Sequence, residues 1–173
     1  MVMVFALSSN AFTAPQTGTV TVYFVVDGTP AYWPIQVVYL DTIELEKNYI
    51  QDAVNGDKTT DPLPNSISVL DVIIAALESV VDVETIKFYF DDNPSEGDPG
   101  YAITEVDYKG SYNVTYWGVT NPETSQIENL SEGAGWTADD DGVPFTDYLS
   151  NIEAEDGMYI TFEYSTYSIY WTY

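Results

Sequence analysis

The sequence predicts an α+β fold that is mostly β-strand, with one main helix in a single domain. Several runs alternate apolar and polar residues, and one segment places apolar residues at helical spacing. The composition, 45% hydrophobic and 15% aromatic over 173 residues, supplies enough apolar side chain for the core of one ordinary domain. Extended apolar segments are expected at both ends. We therefore divide the chain into an N-terminal apolar segment, residues 1–16, and one α+β domain, residues 17–173, which ends in a Tyr-rich strand.

The first predicted strand covers residues 19–26. Its apolar residues recur at every second position, so they share one face of the strand, and they are Val20, Val22, Phe24 and Val26. Asp27 and Gly28 then predict a tight turn. A second β-branched run spans residues 35–40, and residues 52–64 read as a polar, turn-rich loop.

The helix is predicted to begin at Ser68. Ser68 followed three positions later by Asp71 is typical of a capping box. The apolar residues that follow at helical spacing are Val69, Leu70, Ile73, Ile74, Leu77, Val80 and Val81. Because this apolar stripe is wide and only Asp71 and Glu78 are charged, we expect the helix to lie across a sheet.

Four more runs beyond the helix have strand character, and they span residues 86–90, 101–106, 112–119 and 158–164. Residues 93–100 are predicted as a loop, and residues 121–135 as a polar connection. The Tyr-rich tail, residues 165–173, is expected to continue the last strand.

The residue types that are missing exclude much catalytic chemistry. The chain contains no His and no Cys, so it has no Ser–His or Cys–His nucleophile pair and no His-ligated zinc or haem. It contains no Arg, so no bidentate phosphate clamp is available. Carboxylate acid–base chemistry needs a constellation that the sequence does not show. We therefore predict that the protein is not an enzyme.

The charge balance limits the partners. Four Lys+Arg against 28 Asp+Glu give a formal net charge of −24. Nucleic-acid binding depends on clusters of Lys and Arg, so no nucleic-acid partner is expected. The apolar run at residues 1–7 is too short to span a bilayer, so no membrane span is expected.

The apolar N-terminal segment has two interpretations. Residues 9–11 resemble a signal-peptide cleavage site, although no cation precedes Lys47 to form the usual positive n-region. The alternative is an apolar strand of the mature protein. In that case residues 1–12 lie extended and buried, mostly against another chain. The expected contact residues are Val2, Val4 and Phe5.

Three pieces of sequence in the same order resemble the transcobalamin-like C-terminal domain family. They are Ser68-Val69-Leu70-Asp71, then Gly135-Trp136 followed by Gly142-Val143-Pro144-Phe145, and finally residues 152–164. The turn at Asp141-Gly142 is Asn-Gly in the family. The resemblance implies a β-grasp-like, non-catalytic module of secreted and cell-surface proteins, with cobalamin as the ligand that the carriers of the family bind.

Two acidic segments are candidate calcium sites. Asp139, Asp140 and Asp141 form the densest cluster, and Asp91 with Asp92 is the second choice. Carboxylate oxygens suit a hard cation, although neither segment has the EF-hand spacing. Bound cations would also relieve repulsion in so acidic a chain. The alternative in each case is a solvated acidic turn.

Aromatic residues are the other candidates. Trp117 and Trp136 could stack on a ligand, or they could pack in the core. The terminal aromatics, which suit either a subunit interface or a carbohydrate-binding stripe, include Tyr167, Tyr170 and Trp171. Asn113 and Asn129 begin glycosylation sequons.

Two classes of function remain. The first is an extracellular structural protein that self-assembles, as a filament or surface-layer subunit, when the apolar N-terminus of one copy adds as a strand to the sheet of the next. The second is a ligand-binding module of a secreted or cell-surface protein, with a small-molecule or glycan ligand.

Overall fold

Two β-sheets and one α-helix account for the regular structure of the described residues. The computed structural model describes residues 16–44, 63, 65–91 and 99–172. Their architecture is mostly β-strand with one helix, which confirms the predicted α+β class.

The strands follow the chain from β1 to β10. Their bounds are β1 Thr19–Val26, β2 Thr29–Pro30, β3 Gln36–Tyr39, β4 Lys87–Asp91, β5 Gly100–Val106, β6 Lys109–Gly110, β7 Tyr112–Thr120, β8 Ile127–Asp140, β9 Val143–Pro144 and β10 Tyr159–Trp171. Helix α1 spans Val69–Glu78, and short 3-10 turns lie at Leu40–Thr42, Val83–Thr85 and Leu149–Asn151. The expected tail strand is confirmed, because β10 runs on to Trp171.

The larger sheet is mixed. Its strand order is β2-β1-β10-β8-β7, with β3 also paired to β1 and β9 to β8. β1 and β10 are parallel, with Val22 beside Ile160 and Phe24 beside Phe162. The other pairs are antiparallel. The smaller sheet is antiparallel, in the order β4-β5-β6.

Three hairpins turn through two consecutive residues with positive φ, the geometry of type I′ turns. Asp27 and Gly28 have φ of 49° and 72°, which confirms the turn predicted after β1. Asp141 and Gly142 join β8 to β9 with φ of 48° and 83°. The third turn, between β5 and β6, uses Asp107 and Tyr108.

The capping box is present at the start of α1. The Ser68 Oγ accepts a hydrogen bond from the Asp71 amide at 3.1 Å, while Asp71 Oδ2 accepts from the Ser68 amide at 2.9 Å and from its hydroxyl at 2.8 Å. The helix is shorter than its apolar pattern, since it ends at Glu78. The amides of Val80 and Val81 instead bond to the Leu77 carbonyl at 2.9 and 2.8 Å.

One core is shared by the helix and both sheets. Its fully buried side chains include Val20, Val22 and Phe24 from β1, Ile160 and Phe162 from β10, Leu70, Ile73, Ile74 and Leu77 from α1, and Tyr101 from β5. The predicted apolar face of β1 is therefore the core face, apart from Val26, which is half-buried at the end of the strand. The helix lies on this face of the larger sheet, as expected.

Residues 121–135 are not the polar connection that we expected. From Ile127 onward they belong to β8, which is paired on both sides, to β7 and to β10. The last pair between β1 and β10 is Val26 with Tyr164, whereas β10 and β8 remain paired as far as Trp171 and Asn129. The three strands beyond the end of β1 form what we call the arm: β7, residues 127–134 of β8 and residues 165–171 of β10.

Among the described residues, no helix has the length and apolar character needed to cross a membrane.

Candidate functional site

The outer strand of the arm is an open sheet edge. β7 pairs with β8 on one side, and within the described residues no strand pairs with its other side. Most of its side chains are exposed. An edge of this kind presents unpaired backbone amides and carbonyls that can pair with another chain.

The usual protection of an edge strand is largely missing from β7. Lys, other charged residues, Pro and bulges are what keep edges from pairing. β7 contains no charged residue and no Pro in nine residues. Its one irregularity lies between Tyr116 and Val119, where Gly118 has φ of 67°. The edge from Tyr112 to Tyr116 is therefore regular, and no other strand of the described residues pairs with it.

The face of the arm that continues the core face of the sheet is partly apolar. Directly paired residues share a face of a sheet. The three rows on this face are Tyr112 with Ala134 and Thr166, Val114 with Glu132 and Ser168, and Tyr116 with Leu130 and Tyr170. Tyr112, Val114 and Tyr116 are all substantially exposed at the edge. Tyr170, a predicted interface residue, is half-buried here.

The opposite face of the arm carries the other predicted aromatics. Trp117 is 63% exposed and meets Trp171 edge to face, with ring centroids 5.6 Å apart. The Trp171 indole donates to Ser131 Oγ at 3.1 Å. Tyr167 crosses Gly133 so closely that an added Cβ there would lie 2.5 Å from the end of its ring. The structure thus brings Trp117, Tyr167 and Trp171 into one part of the molecule.

Both sequon residues lie on the arm as well. Asn113 is in β7, and Asn129 in β8 accepts a hydrogen bond from the Gly118 amide at 3.3 Å through its side-chain oxygen.

Trp136 lies apart from the other candidate aromatics, between the two sheets. Its ring stacks on Phe162 with centroids 4.8 Å apart and planes 16° from parallel, and it also contacts Tyr164 at 5.2 Å. Its indole donates to the Lys109 carbonyl at 2.9 Å. Trp136 is therefore partly core, with its remaining surface turned to a cleft.

This aromatic cleft has a volume of about 240 Å³. β5 forms one wall through Tyr101 and Ile103, Trp136 and Phe162 form another, and residues 144–149 close it. Tyr101 is fully buried, and among the described residues its hydroxyl has no hydrogen-bond partner. A buried hydroxyl of this kind ordinarily has a partner.

Tyr164 ties β10 to β6 beside the cleft. Its hydroxyl donates to the Gly110 carbonyl at 3.1 Å, and Lys109 Nζ lies 5.8 Å from its ring centroid. Partial burial raises the pKa of the Tyr164 phenol, and the nearby Tyr112 and Asp27 add to the shift.

The acidic cluster is not a loop with three neighbouring ligands. Asp139 and Asp140 are the last two residues of β8, where consecutive side chains point to opposite faces, and only Asp141 is in the turn. Asp139 Oδ1 accepts from the Gly142 amide at 2.7 Å, and Asp140 Oδ1 accepts from the Tyr159 amide at 2.9 Å. In the described part of the chain, no group of three or more such residues is placed to hold a metal ion.

Several predicted residues lie outside what the structure describes. Asp91 ends β4, and Asp92 falls in the gap that follows, so the second acidic segment is not described. Val2, Val4 and Phe5 precede the first described residue, Gln16.

Gln16 marks where the N-terminal segment joins the domain. Its side-chain amide donates to Glu153 Oε1 at 3.1 Å and to the Ala154 carbonyl at 3.0 Å, and its oxygen accepts from the Ile67 amide. Since β1 and β10 run parallel, Gln16 lies near the beginning of both strands. The arm begins beyond the end of β1, so Gln16 and the arm are at opposite ends of the larger sheet.

No protein-family model matches the chain, and no curated protein matches it by sequence. The site therefore rests on its own geometry. The sequence did not predict this edge, because residues 121–135 were expected to form a polar connection and not part of β8, the strand that pairs with β7. A signal was available in the even-numbered apolar residues Leu130, Ala134, Trp136 and Ala138, which share the core-side face.

Proposed function

We propose that this protein is a non-enzymatic, extracellular structural protein that self-assembles by β-strand addition, as the subunit of a filament or surface layer. The observation that carries the proposal is the open, charge-free edge of β7 on the arm. An added strand gains main-chain hydrogen bonds along such an edge, and its alternate side chains contact both faces.

The charge distribution supports this choice of surface. In a chain of net charge −24, contact between two copies is opposed by repulsion wherever acidic surfaces face each other. Neither β7 nor residues 165–171 of β10 contain a charged residue, and the β8 part of the arm contributes Glu128 and Glu132. The arm is therefore a place where two copies can meet with little electrostatic repulsion.

The proposal also includes an extracellular location and a β-grasp-like fold. The resemblance of the three sequence pieces to the transcobalamin-like family supports a secreted or cell-surface protein. A β-grasp-like fold is supported by the way the helix of the described residues packs across a mixed sheet whose β1 and β10 are parallel.

Electron microscopy of the purified full-length protein tests the proposal. We expect negative-stain images to show filaments or sheets, and sedimentation to show that they form above a critical concentration. Raising NaCl to about 0.5 M should favour assembly, because salt screens repulsion between the acidic surfaces. A protein that remains monomeric at every concentration and salt level would exclude this function.

The aromatic cleft favours a second candidate, a ligand-binding module. Its volume of about 240 Å³ is below the roughly 300–1,000 Å³ of ordinary small-molecule sites, so it fits one ring rather than a whole cobalamin. The ligand would be a sugar unit or another ring with an apolar face for Trp136.

Tryptophan fluorescence distinguishes the second candidate from the first. A panel of monosaccharides and cyanocobalamin is titrated into the wild type, Trp136→Phe and Trp117→Phe. The ligand-binding function predicts a saturable change that persists in Trp117→Phe and is lost in Trp136→Phe. Absence of any saturable change removes the reason to prefer a ligand site.

A further inference from the structure

We infer that the strand added to β7 is the apolar segment 1–15 of a second copy, and that the contact is head-to-tail. The two ends of the assembly then differ, and further copies can be added to it. The inference rests on the proposed function, and it adds the identity of the donor and the symmetry of the contact.

The first reason is the position of the two partners in the molecule. The donor segment leaves the domain at Gln16, which is fixed beside Ile67 and Ala154 at the start of β1. The acceptor edge lies on the arm, beyond the opposite end of β1. When two different surfaces at opposite ends of a subunit pair, each added copy exposes a new acceptor, and the contact propagates unless the rotation closes a ring.

The second reason is charge. Residues 1–15 contain no Asp, Glu or Lys, although the whole chain has 28 acidic residues. β7 contains none either. Donor and acceptor can therefore pair without bringing carboxylates together, and the alternating Val2, Val4 and Ala6 give the donor one apolar face.

Two full-length variants separate the donor from the acceptor. The donor variant, Val2→Asp with Val4→Asp, places charge in the apolar run. The acceptor variant, Val114→Lys with Tyr116→Lys, protects the edge with lysines. The acceptor variant reduces the net negative charge, so relief of overall repulsion would favour its assembly. A loss of assembly therefore reports on the edge itself.

Matched controls carry the same charge changes on exposed positions away from the arm. They are Thr17→Asp with Thr29→Asp for the donor, and Tyr32→Lys with Ile35→Lys for the acceptor. Circular dichroism and thermal unfolding establish that each variant is folded before assembly is compared.

We expect the donor variant and the acceptor variant each to raise the critical concentration for assembly at least about tenfold. The controls should assemble like the wild type. The donor variant keeps an intact β7 edge, and the acceptor variant keeps an intact N-terminal segment. When the two are mixed at equal concentration, one donor and one acceptor can therefore still pair. They should form heterodimers that do not extend, visible by sedimentation velocity.

Each negative result would contradict a different part of the inference. Assembly that is unaffected by the donor variant would exclude segment 1–15 as the added strand. A closed wild-type dimer, or donor variants that still dimerise through their arms, would exclude the head-to-tail contact. A mixture that stays monomeric would show that the two ends do not complement each other. A wild type that never associates overturns the proposed function itself.

Discussion

At the scale of single residues, the start of the helix is the most strongly determined feature. Ser68 is fully buried and Asp71 is 6% exposed, and the hydrogen bonds between them satisfy amides that the first turn of a helix leaves without partners. Ser68 also bridges to Glu153, so the cap joins the helix to the segment before β10. Loss of the capping box should therefore lower the stability of the whole domain.

We expect Ser68→Ala to lower the free energy of unfolding by about 1–2 kcal/mol, since the Asp71 amide loses its acceptor and the carboxylate loses a donor. Urea denaturation measures the change. Thr29→Ala, at an exposed position in β2, is the control and should stay within about 0.5 kcal/mol of the wild type. Equal stability of the two variants would mean that the capping box contributes nothing measurable.

The capping box was predictable because both partners lie within four residues of each other. The acidic cluster was not, although its residues are consecutive. Whether Asp139 and Asp140 occupy a turn or a strand depends on pairing with Thr161 and Ile160, about twenty positions away. Once β8 extends through Asp140, alternation separates the carboxylates. Sequence spacing therefore predicted the composition of the cluster but not its geometry.

At the scale of elements, the same distinction explains which strands could be predicted. β1 was recognised because one face is apolar and buried along nearly its whole length. The arm part of β8 lies between β7 and β10 without a core beneath it, so polar residues such as Glu128 and Glu132 are tolerated there. Its strand character comes from backbone pairing on both sides, which leaves a weak hydrophobic pattern.

Two glycines of β8 give a matched test of the arm. A Cβ at Gly133 would lie 2.3 Å from the Tyr112 carbonyl oxygen, whereas a Cβ at Gly135 meets Ser111 Oγ at an ordinary 3.6 Å. We expect Gly133→Ala to cost about 1–3 kcal/mol through overpacking, and Gly135→Ala to cost less.

Hydrogen exchange locates the effect of these substitutions. In Gly133→Ala, amides of residues 112–134 and 165–171 should exchange faster, while those of helix α1 keep their protection, because the arm extends beyond the core. Uniform loss of protection over the whole domain would show that the arm does not unfold as a separate unit.

At the scale of the whole molecule, the net charge of −24 opposes both folding and assembly. Salt screens exposed charges separated by more than about 8 Å at physiological ionic strength, so closely spaced carboxylates need local partners. The structure gives such partners to Asp139 and Asp140, as backbone amides, and to Asp156, which accepts from the Thr19 amide at 2.8 Å. Each of these bonds satisfies part of one carboxylate and leaves its negative charge in place.

Calcium binding at an acidic segment stays a prediction, with Asp139 to Asp141 as the first choice and Asp91 with Asp92 as the second. Since Asp139 and Asp140 lie on opposite faces of β8, one ion at the first segment would bind only one of these two carboxylates. At tenfold excess over its dissociation constant, one bound ion adds about 1.4 kcal/mol. For a chain of this length the melting temperature rises by about 3–6 °C. The measurement is thermal unfolding in CaCl₂ and in chelator, with NaCl added to equal ionic strength so that general screening is the same in both.

Asp139→Asn with Asp140→Asn should abolish the rise in melting temperature if the first site is correct, and should leave the rise intact if the ion binds at Asp91 and Asp92. A melting temperature that neither calcium nor chelator changes would contradict the prediction, and the carboxylates would then act only as a solvated, repulsive surface.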